Sequence, residues 1–271
     1  MDFDEEILKY YNKGNERERL DDGLSQIEKV RTLDILERYI PKTASSIVDI
    51  GGGTGVYSFL LSEKGFDVHL LDAIPLHINQ AKEINKSSKH PLKSLQVGDA
   101  RNLPFEDNFA DIVLLFGPMY HLIKKGDRLK TLEEAFRILK TGGMIFSVGI
   151  SKFASLLDGF KKDFILDEGF RKIANEDLRT SQHRNPTNKE HYFTTAFFHD
   201  PNELLIEHIE VGFNQLELLA IEGPLGLLEN IINYVSDQQN LEIFLDYAKK
   251  IEKETSLIGA SSHIMVIAKK E

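Results

Sequence analysis

Two periodic patterns of apolar residues alternate along the first 150 positions of this 271-residue chain. Short apolar runs predict five strands, at residues 46–50, 67–72, 93–97, 111–116 and 144–150. Apolar residues at three- and four-residue spacing predict helices between them, at about 54–65, 75–86 and 127–140. Because strands and helices alternate, we predict an α/β, doubly wound fold with right-handed crossovers and helices on both faces of a parallel sheet.

The pattern changes after residue 150. Residues 151–189 show no clear strand. Asp200 and Pro201 then indicate a helix start, with an acidic N-cap followed by a proline in the first turn. Residues 213–221 and 262–269 predict two further strands, which we interpret as an antiparallel pair that closes one edge of the sheet.

Composition and charge narrow the class of protein. The chain carries 43 acidic and 33 basic residues, and this net charge of −10 argues against a nucleic-acid substrate because nucleic-acid binders usually present a basic face. No cysteine is present, so a disulfide or a thiolate nucleophile is excluded. No apolar run reaches the length of a membrane span, and the acidic N-terminus is unlike a signal peptide. We expect a cytoplasmic protein, either a monomer or a homodimer.

A glycine-rich turn, residues 49–55, follows the first predicted strand and precedes a predicted helix. Glycines there let a ligand approach the backbone, and the helix start offers unpaired N–H groups. A phosphate-binding loop needs Lys-Ser or Lys-Thr after the last glycine, but this chain has Val56 and Tyr57. A dinucleotide-binding turn needs a small residue where Val56 stands, which weakens that interpretation without excluding it.

Asp72 ends the second predicted strand, about twenty residues after the glycine turn. Its position and residue type suit a carboxylate that accepts hydrogen bonds from both hydroxyls of a ribose. Enzymes that use NAD place an acid at the same point, so Asp72 indicates a ribose without choosing the cofactor.

Two motifs favour one cofactor over the others. Asp49, Gly51, Gly53 and Gly55 form an acid-x-Gly-x-Gly-x-Gly pattern that resembles the first motif of class I S-adenosylmethionine (SAM)-dependent methyltransferases. Residues 99–113 strongly resemble the Asp-Ala-x-x-Leu-Pro-Phe run of that family and its Phe-Asp-x-Val segment. The resemblance implies a Rossmann-like, seven-stranded, mostly parallel sheet with a reversed last strand. It also implies methyl transfer from SAM to a small-molecule acceptor, with S-adenosyl-L-homocysteine (SAH) as the product.

The same resemblance implies the domain organisation and the residues that hold SAM. One methyltransferase domain would span residues 1–271, with an N-terminal helical cap (1–45), a SAM-binding core (46–150), helical lids or insertions (151–199 and 222–257), and a C-terminal helix with an antiparallel strand pair (200–221 and 258–271). In the family, an acid after the third strand receives the adenine amino group, which implies that role for Asp99. The residues expected at the cofactor are Asp49, Gly51, Gly52, Gly53, Gly55, Asp72, Ala73, Asp99, Ala100, Phe116 and Arg19.

The acceptor is far less specified than the methyl donor. DNA amino-methyltransferases carry Asn- or Asp-Pro-Pro-aromatic after the fourth strand, and this chain begins that segment with Gly117, so methylation of a base amine is not supported. Tyr120 and His121 are the candidate catalytic residues. Histidines between 191 and 208 have no recognised metal-ligand spacing, so no metal is expected. The residues expected at the acceptor are Tyr11, Gly117, Tyr120, His121, Tyr192 and His199.

Two other functions remain open at this point. An NAD(P)-linked oxidoreductase would also use the glycine turn and Asp72, although Val56 and the run that begins at Asp99 count against it. A non-catalytic protein of the same fold could bind partners through the acidic surface.

Overall fold

The computed structural model describes residues 5–12, 25–187 and 189–271. Its strands are β1 (Ser46–Ile50), β2 (Asp67–Asp72), β3 (Ser94–Val97), β4 (Ala110–Leu115), β5 (Leu139–Ser151), β6 (Gln182–His183), β7 (Ala196–His199), β8 (Asn214–Ala220) and β9 (His263–Lys269). Its α-helices are α1 (Glu5–Tyr11), α2 (Ser25–Tyr39), α3 (Val56–Glu63), α4 (Pro75–Ser87), α5 (Pro118–His121), α6 (Lys125–Ile138), α7 (Ala154–Lys161), α8 (Glu168–Thr180), α9 (Pro201–Val211), α10 (Ile232–Val235) and α11 (Gln238–Ile251). Arg19, expected at the cofactor, lies outside the described residues.

The main sheet has the strand order β3-β2-β1-β4-β5-β9-β8. Strands β1 to β5 run parallel to one another. Strand β9 lies between β5 and β8 and runs antiparallel to both. The structure therefore confirms the predicted Rossmann-like sheet of seven mostly parallel strands with the last strand reversed.

Helices cover both faces of this sheet. Alternate side chains of a strand point to opposite faces, so Val48 packs in one apolar cluster with α6 and α9, while Ile47 packs in another with α2, α3 and α4. Both faces of the sheet are thus covered by apolar side chains. The central strands are nearly continuous apolar runs, as expected for a parallel sheet. The ligand-binding part of such a sheet is left to the loops at the carboxyl ends of its strands.

The segment 151–199, which we call the lobe, differs from its prediction. It contains α7 and α8, but also β6 and β7, which pair antiparallel with each other. β7 extends the sheet locally because Phe198 and His199 pair in parallel with the end of β5. The expectation that residues 151–189 hold no strand is therefore wrong at Gln182–His183. Two residues are too few for a strand to produce a recognisable period along the sequence.

A buried ion pair connects α6 to α9. Arg128 Nη2 lies 2.6 Å from Glu207 Oε1, and Arg128 Nη1 donates to the carbonyls of Leu122 and Ile123. Burial opposes ionisation of Glu207, but contacts with His199 and Arg128 bring its pKa down to about 2. Because Arg128 also donates hydrogen bonds to the two carbonyls that follow α5, the ion pair stabilises the position of the segment after β4.

The helices of residues 222–257 pack against α2. Ile27 of α2 is fully buried against Ile231, Phe244 and Ala248, and Arg31 Nη2 lies 2.6 Å from Glu252. These contacts seat α2 beside the sheet. None of the helices in the described ranges is long and apolar enough to cross a membrane.

Candidate functional site

A cleft opens at the carboxyl ends of β1, β2 and β4, with about 1030 Å³ of empty space when its solvent-facing mouth is included. The structure brings most of the residues predicted for cofactor and acceptor to its walls: Tyr11, Asp49, Gly51, Gly52, Gly53, Asp72, Ala73, Asp99, Ala100, Phe116, Gly117, Tyr120 and His121. Gly55, Tyr192 and His199 do not line it.

The glycine turn adopts the backbone conformation that its residues favour. Gly51, Gly53 and Gly55 have φ angles of +71°, +59° and +86°, a region in which residues with a Cβ are strained. A Cβ on Gly51 would lie 2.6 Å from Cδ of Pro118, so the turn and the loop after β4 approach each other closely. Gly55 instead faces Leu70 and Phe59, where it lets α3 pack onto the sheet.

Asp49 is buried at the floor of the cleft. Ser58 Oγ donates to its Oδ2 at 2.6 Å, while Oδ1 has no hydrogen-bond partner among the described residues. Burial and, to a lesser degree, the charge of Asp72 raise the pKa of Asp49 to about 7, against the effect of Ser58. A cation placed at Oδ1 would stabilise the charged carboxylate and complete its hydrogen bonding.

Asp72 is held by three donors from the protein. Its Oδ2 accepts from the backbone N–H of Gly53 at 2.9 Å, and its Oδ1 accepts from the N–H of Ile74 at 2.8 Å and lies 3.1 Å from Nδ1 of His77. His77 also lines the cleft. Sequence reasoning missed this residue, because a helix predicted to start near Pro75 does not by itself show that its third residue turns back toward Asp72.

Asp99 is paired with Arg101. Arg101 donates from its backbone N–H and its guanidinium to the carboxylate, at 2.8 to 3.0 Å. Burial opposes ionisation of Asp99, but these hydrogen bonds lower its pKa below the usual value. The acid at this point of the cleft is therefore a carboxylate at neutral pH, and it can only accept hydrogen bonds.

Helix α1 covers the mouth of the cleft. The hydroxyl of Tyr11 lies 2.7 Å from Nε2 of His121, and the ring of Tyr11 meets the ring of His77 edge-on, with centroids 5.6 Å apart. Glu6 of the same helix accepts a hydrogen bond from Thr195 of the lobe. Helix α1 thus contacts the cleft through Tyr11 and the lobe through Glu6.

A second cavity lies within the lobe, and we call it the lobe cavity. Six Phe and Tyr side chains line it together with histidines and polar groups such as Asp158 and Lys162; the six are Tyr10, Phe164, Phe170, Tyr192, Phe193 and Phe198. Phe193 separates it from the cleft, since its ring lies 6.1 Å from that of His121 and 5.7 Å from that of Tyr10. Phe193 has a φ of +70°, an uncommon conformation for an aromatic residue that costs about 1–3 kcal/mol and is often found at functional sites.

His199 lines neither cavity. It is completely buried, with Nε2 3.6 Å from Glu207, and its pKa is lowered, chiefly by burial. The register of β7 directs this side chain toward α9 rather than toward the acceptor site, so its environment indicates a packing role.

Glu28, Glu222 and His263 come close enough to hold a metal ion, with ligand atoms within 4.8 Å of one another. His263 Nδ1 lies 2.5 Å from Glu222 Oε1, and Glu222 Oε2 accepts from Ser261 Oγ and from the backbone of His263. The protein itself therefore satisfies the Glu222 carboxylate.

Comparison with known proteins agrees with the fold and with the motifs. Residues 47–143 match the family described as "Methyltransferase domain". A glycine/sarcosine N-methyltransferase of Aphanothece halophytica is 32% identical over 130 residues, which are 47% of this chain and 45% of that protein. The chain thus matches a little under half the length of this curated relative.

Solved structures extend the likeness of fold to nearly the whole chain. Protein PH0226 of Pyrococcus horikoshii matches with a TM-score of 0.62 and 18% identity, over 97% of this chain and 99% of that one. A SAM-dependent methyltransferase of Methanosarcina mazei matches with a TM-score of 0.59 and 21% identity, over 87% and 96%. Residues 47–143 therefore belong to a methyltransferase domain, and the fold around them is that of class I SAM-dependent methyltransferases.

Proposed function

We propose that this protein transfers a methyl group from SAM to a small-molecule acceptor and releases SAH. The observation that carries the proposal is the buried, unsatisfied Oδ1 of Asp49 in a cleft whose glycine turn admits a ligand against the backbone. A buried acceptor oxygen without a partner is unfavourable unless a ligand supplies the donor. The α-ammonium group of SAM is such a donor.

The other groups of SAM also find suitable partners along the cleft. Asp72 would accept from the ribose, and Asp99 would accept from the adenine amino group beside the backbone N–H of Ala100. When bound, SAM supplies a methyl group on a positively charged sulfur, which is activated for attack by a nucleophile. The work left to the protein is to align that nucleophile and to exclude water.

In this proposal, Tyr11 and His121 lie beside the acceptor at the point where it meets the methyl group. Their side chains both line the cleft and are hydrogen-bonded to each other, and either ring can position an acceptor. For an acceptor that loses a proton, His121 is the better base because an imidazole exchanges a proton near neutral pH. Tyr120, on the same turn of α5, lines the cleft and packs against the same apolar cluster as Phe193.

We infer that the acceptor carries an aromatic ring, held in the lobe cavity. Its wall of aromatic side chains favours flat apolar groups through stacking and edge-to-face contacts. Tyr192, expected at the acceptor, belongs to this wall. Only Phe193 and its neighbours separate such a ring from the cleft.

Turnover with a panel of acceptors tests the function and the acceptor together. SAH formation from SAM would be measured with phenolic and indole compounds, and with glycine and sarcosine. We expect turnover with an aromatic acceptor, and Phe193→Ala should raise the KM for that acceptor about tenfold with the KM for SAM unchanged. Phe160→Ala, at an exposed position of α7, is the matched control. Turnover of glycine or sarcosine alone would refute the aromatic acceptor.

The two alternatives receive less support. The methyltransferase match over residues 47–143 counts against an NAD(P)-linked oxidoreductase, and a non-catalytic protein would form no SAH with any acceptor.

A further inference from the structure

We propose that His77 is a specificity-determining residue of the cofactor site, where its Nε2 accepts a hydrogen bond from one hydroxyl of the ribose. The inference rests on the proposed function, since it takes the ligand to be SAM or SAH. It assigns a role to a side chain that no motif of the sequence indicates.

The first argument is the limited capacity of Asp72. An ionised carboxylate has about four lone-pair positions. Three of them on Asp72 are already used, by the N–H groups of Gly53 and Ile74 and by Nδ1 of His77. The one that remains, on Oδ2, serves a single hydroxyl. A ribose has two hydroxyls in this region, so the second needs another acceptor.

The second argument is the state of the His77 ring. Asp72 Oδ1 accepts hydrogen bonds, so Nδ1 of His77 is the donor in that contact, and in this tautomer Nε2 is the ring nitrogen left to accept one. Nε2 is buried and has no hydrogen-bond partner within the described ranges. The residue as a whole is 2% exposed and lines the cleft. A buried nitrogen without a partner beside a ligand cleft is completed by a ligand donor.

The third argument is placement. His77 lies in the first turn of α4, whose N-terminus is fixed by Pro75 and by the hydrogen bond from the N–H of Ile74 to Asp72. The ring of Tyr11 meets it edge-on from α1. The imidazole is therefore held on two sides, and its position relative to the Asp72 carboxylate is set before any ligand binds. A preorganised acceptor of this kind discriminates ligands that lack the matching hydroxyl.

The test compares SAH with its 2′-deoxy and 3′-deoxy analogues by isothermal titration. In His77→Asn, the side-chain amide can still donate to Asp72, but no atom remains at the position of Nε2. We expect this variant to bind SAH about tenfold more weakly than the wild type, the effect of one lost hydrogen bond. For the analogue that lacks the hydroxyl bound by His77, wild type and variant should have equal affinity.

Controls separate this role from a structural one. His90→Asn changes an exposed histidine and should leave all three affinities unchanged. A merely structural role for His77 would weaken SAH and both analogues by the same factor, and that result would overturn the inference, as would equal SAH affinity of wild type and His77→Asn. If wild-type protein fails to bind SAH at all, the proposed function itself is refuted.

Discussion

Gly51→Ala is expected to weaken SAH binding more than 100-fold, which we estimate as about 3 kcal/mol from strain and displacement together. The new Cβ would lie 2.6 Å from Cδ and 2.9 Å from Cγ of Pro118, whose ring cannot rotate away. The loop that carries Tyr120 and His121 must then shift out of the cleft. The backbone at φ +71° adds roughly 1–2 kcal/mol of strain for a residue with a Cβ.

Gly65→Ala is a control that introduces backbone strain without displacing a neighbouring segment. Gly65 has a φ of +95°, and a Cβ there would meet nothing within 4 Å. This control should lower the midpoint of thermal unfolding by less than Gly51→Ala does, and it should leave SAH affinity unchanged. Titration with SAH and thermal unfolding of both variants give the two readouts. Equal SAH affinity of Gly51→Ala and Gly65→Ala would show that the glycine turn does not contact the cofactor.

The second large effect is a pH dependence of SAH binding that arises at Asp49. With a pKa of about 7, most of this carboxyl is protonated at pH 6 in the free protein. The ammonium group of SAH favours the ionised form, so binding at pH 6 should release close to one proton. Affinity should then fall about tenfold for each pH unit below 7. Titrations in two buffers of different ionisation enthalpy measure the number of protons released.

Asp49→Asn should abolish this proton release, whereas Asp67→Asn, at an exposed position of β2, should retain it. Stability supplies a second readout with a defined sign. The pKa of Asp49 is higher in the folded protein than its ordinary value of 3.8, so the folded state binds more protons between about pH 4 and 7. The contribution of this group to stability is thus present below pH 4 and is lost as the pH rises through 7. Binding without proton release would mean that the ammonium group lies elsewhere.

The part of the site that the sequence predicted consists of residues at the carboxyl ends of strands. Asp49, Asp72 and Asp99 each follow or end a short apolar run, and parallel strands bring these ends to one edge of the sheet. The strand order alone is therefore enough to predict that these three carboxylates lie close together. Because the motif residues lie at the carboxyl ends of the strands, the cleft at that edge of the sheet contains nearly all residues expected at the cofactor.

The remaining features depend on contacts between distant segments. His77 contributes through the angle at which α4 leaves β2, and Tyr192 through the fold of the lobe, neither of which has a periodic signal. His199 was expected at the acceptor, but the pairing of β7 with β5 turns it toward Glu207. The sequence of the lobe is rich in aromatic residues, but composition alone does not show which rings face a cavity.

The central claim is that the cleft binds SAM, and a titration of the wild-type protein with SAH tests it most directly. The account predicts one SAH per chain with a Kd below about 1 mM, equivalent to a binding free energy of about −4.1 kcal/mol or stronger. An excess of NAD⁺ should not displace it. Absence of SAH binding at millimolar concentration, or displacement of SAH by NAD⁺ at comparable concentration, would contradict the account.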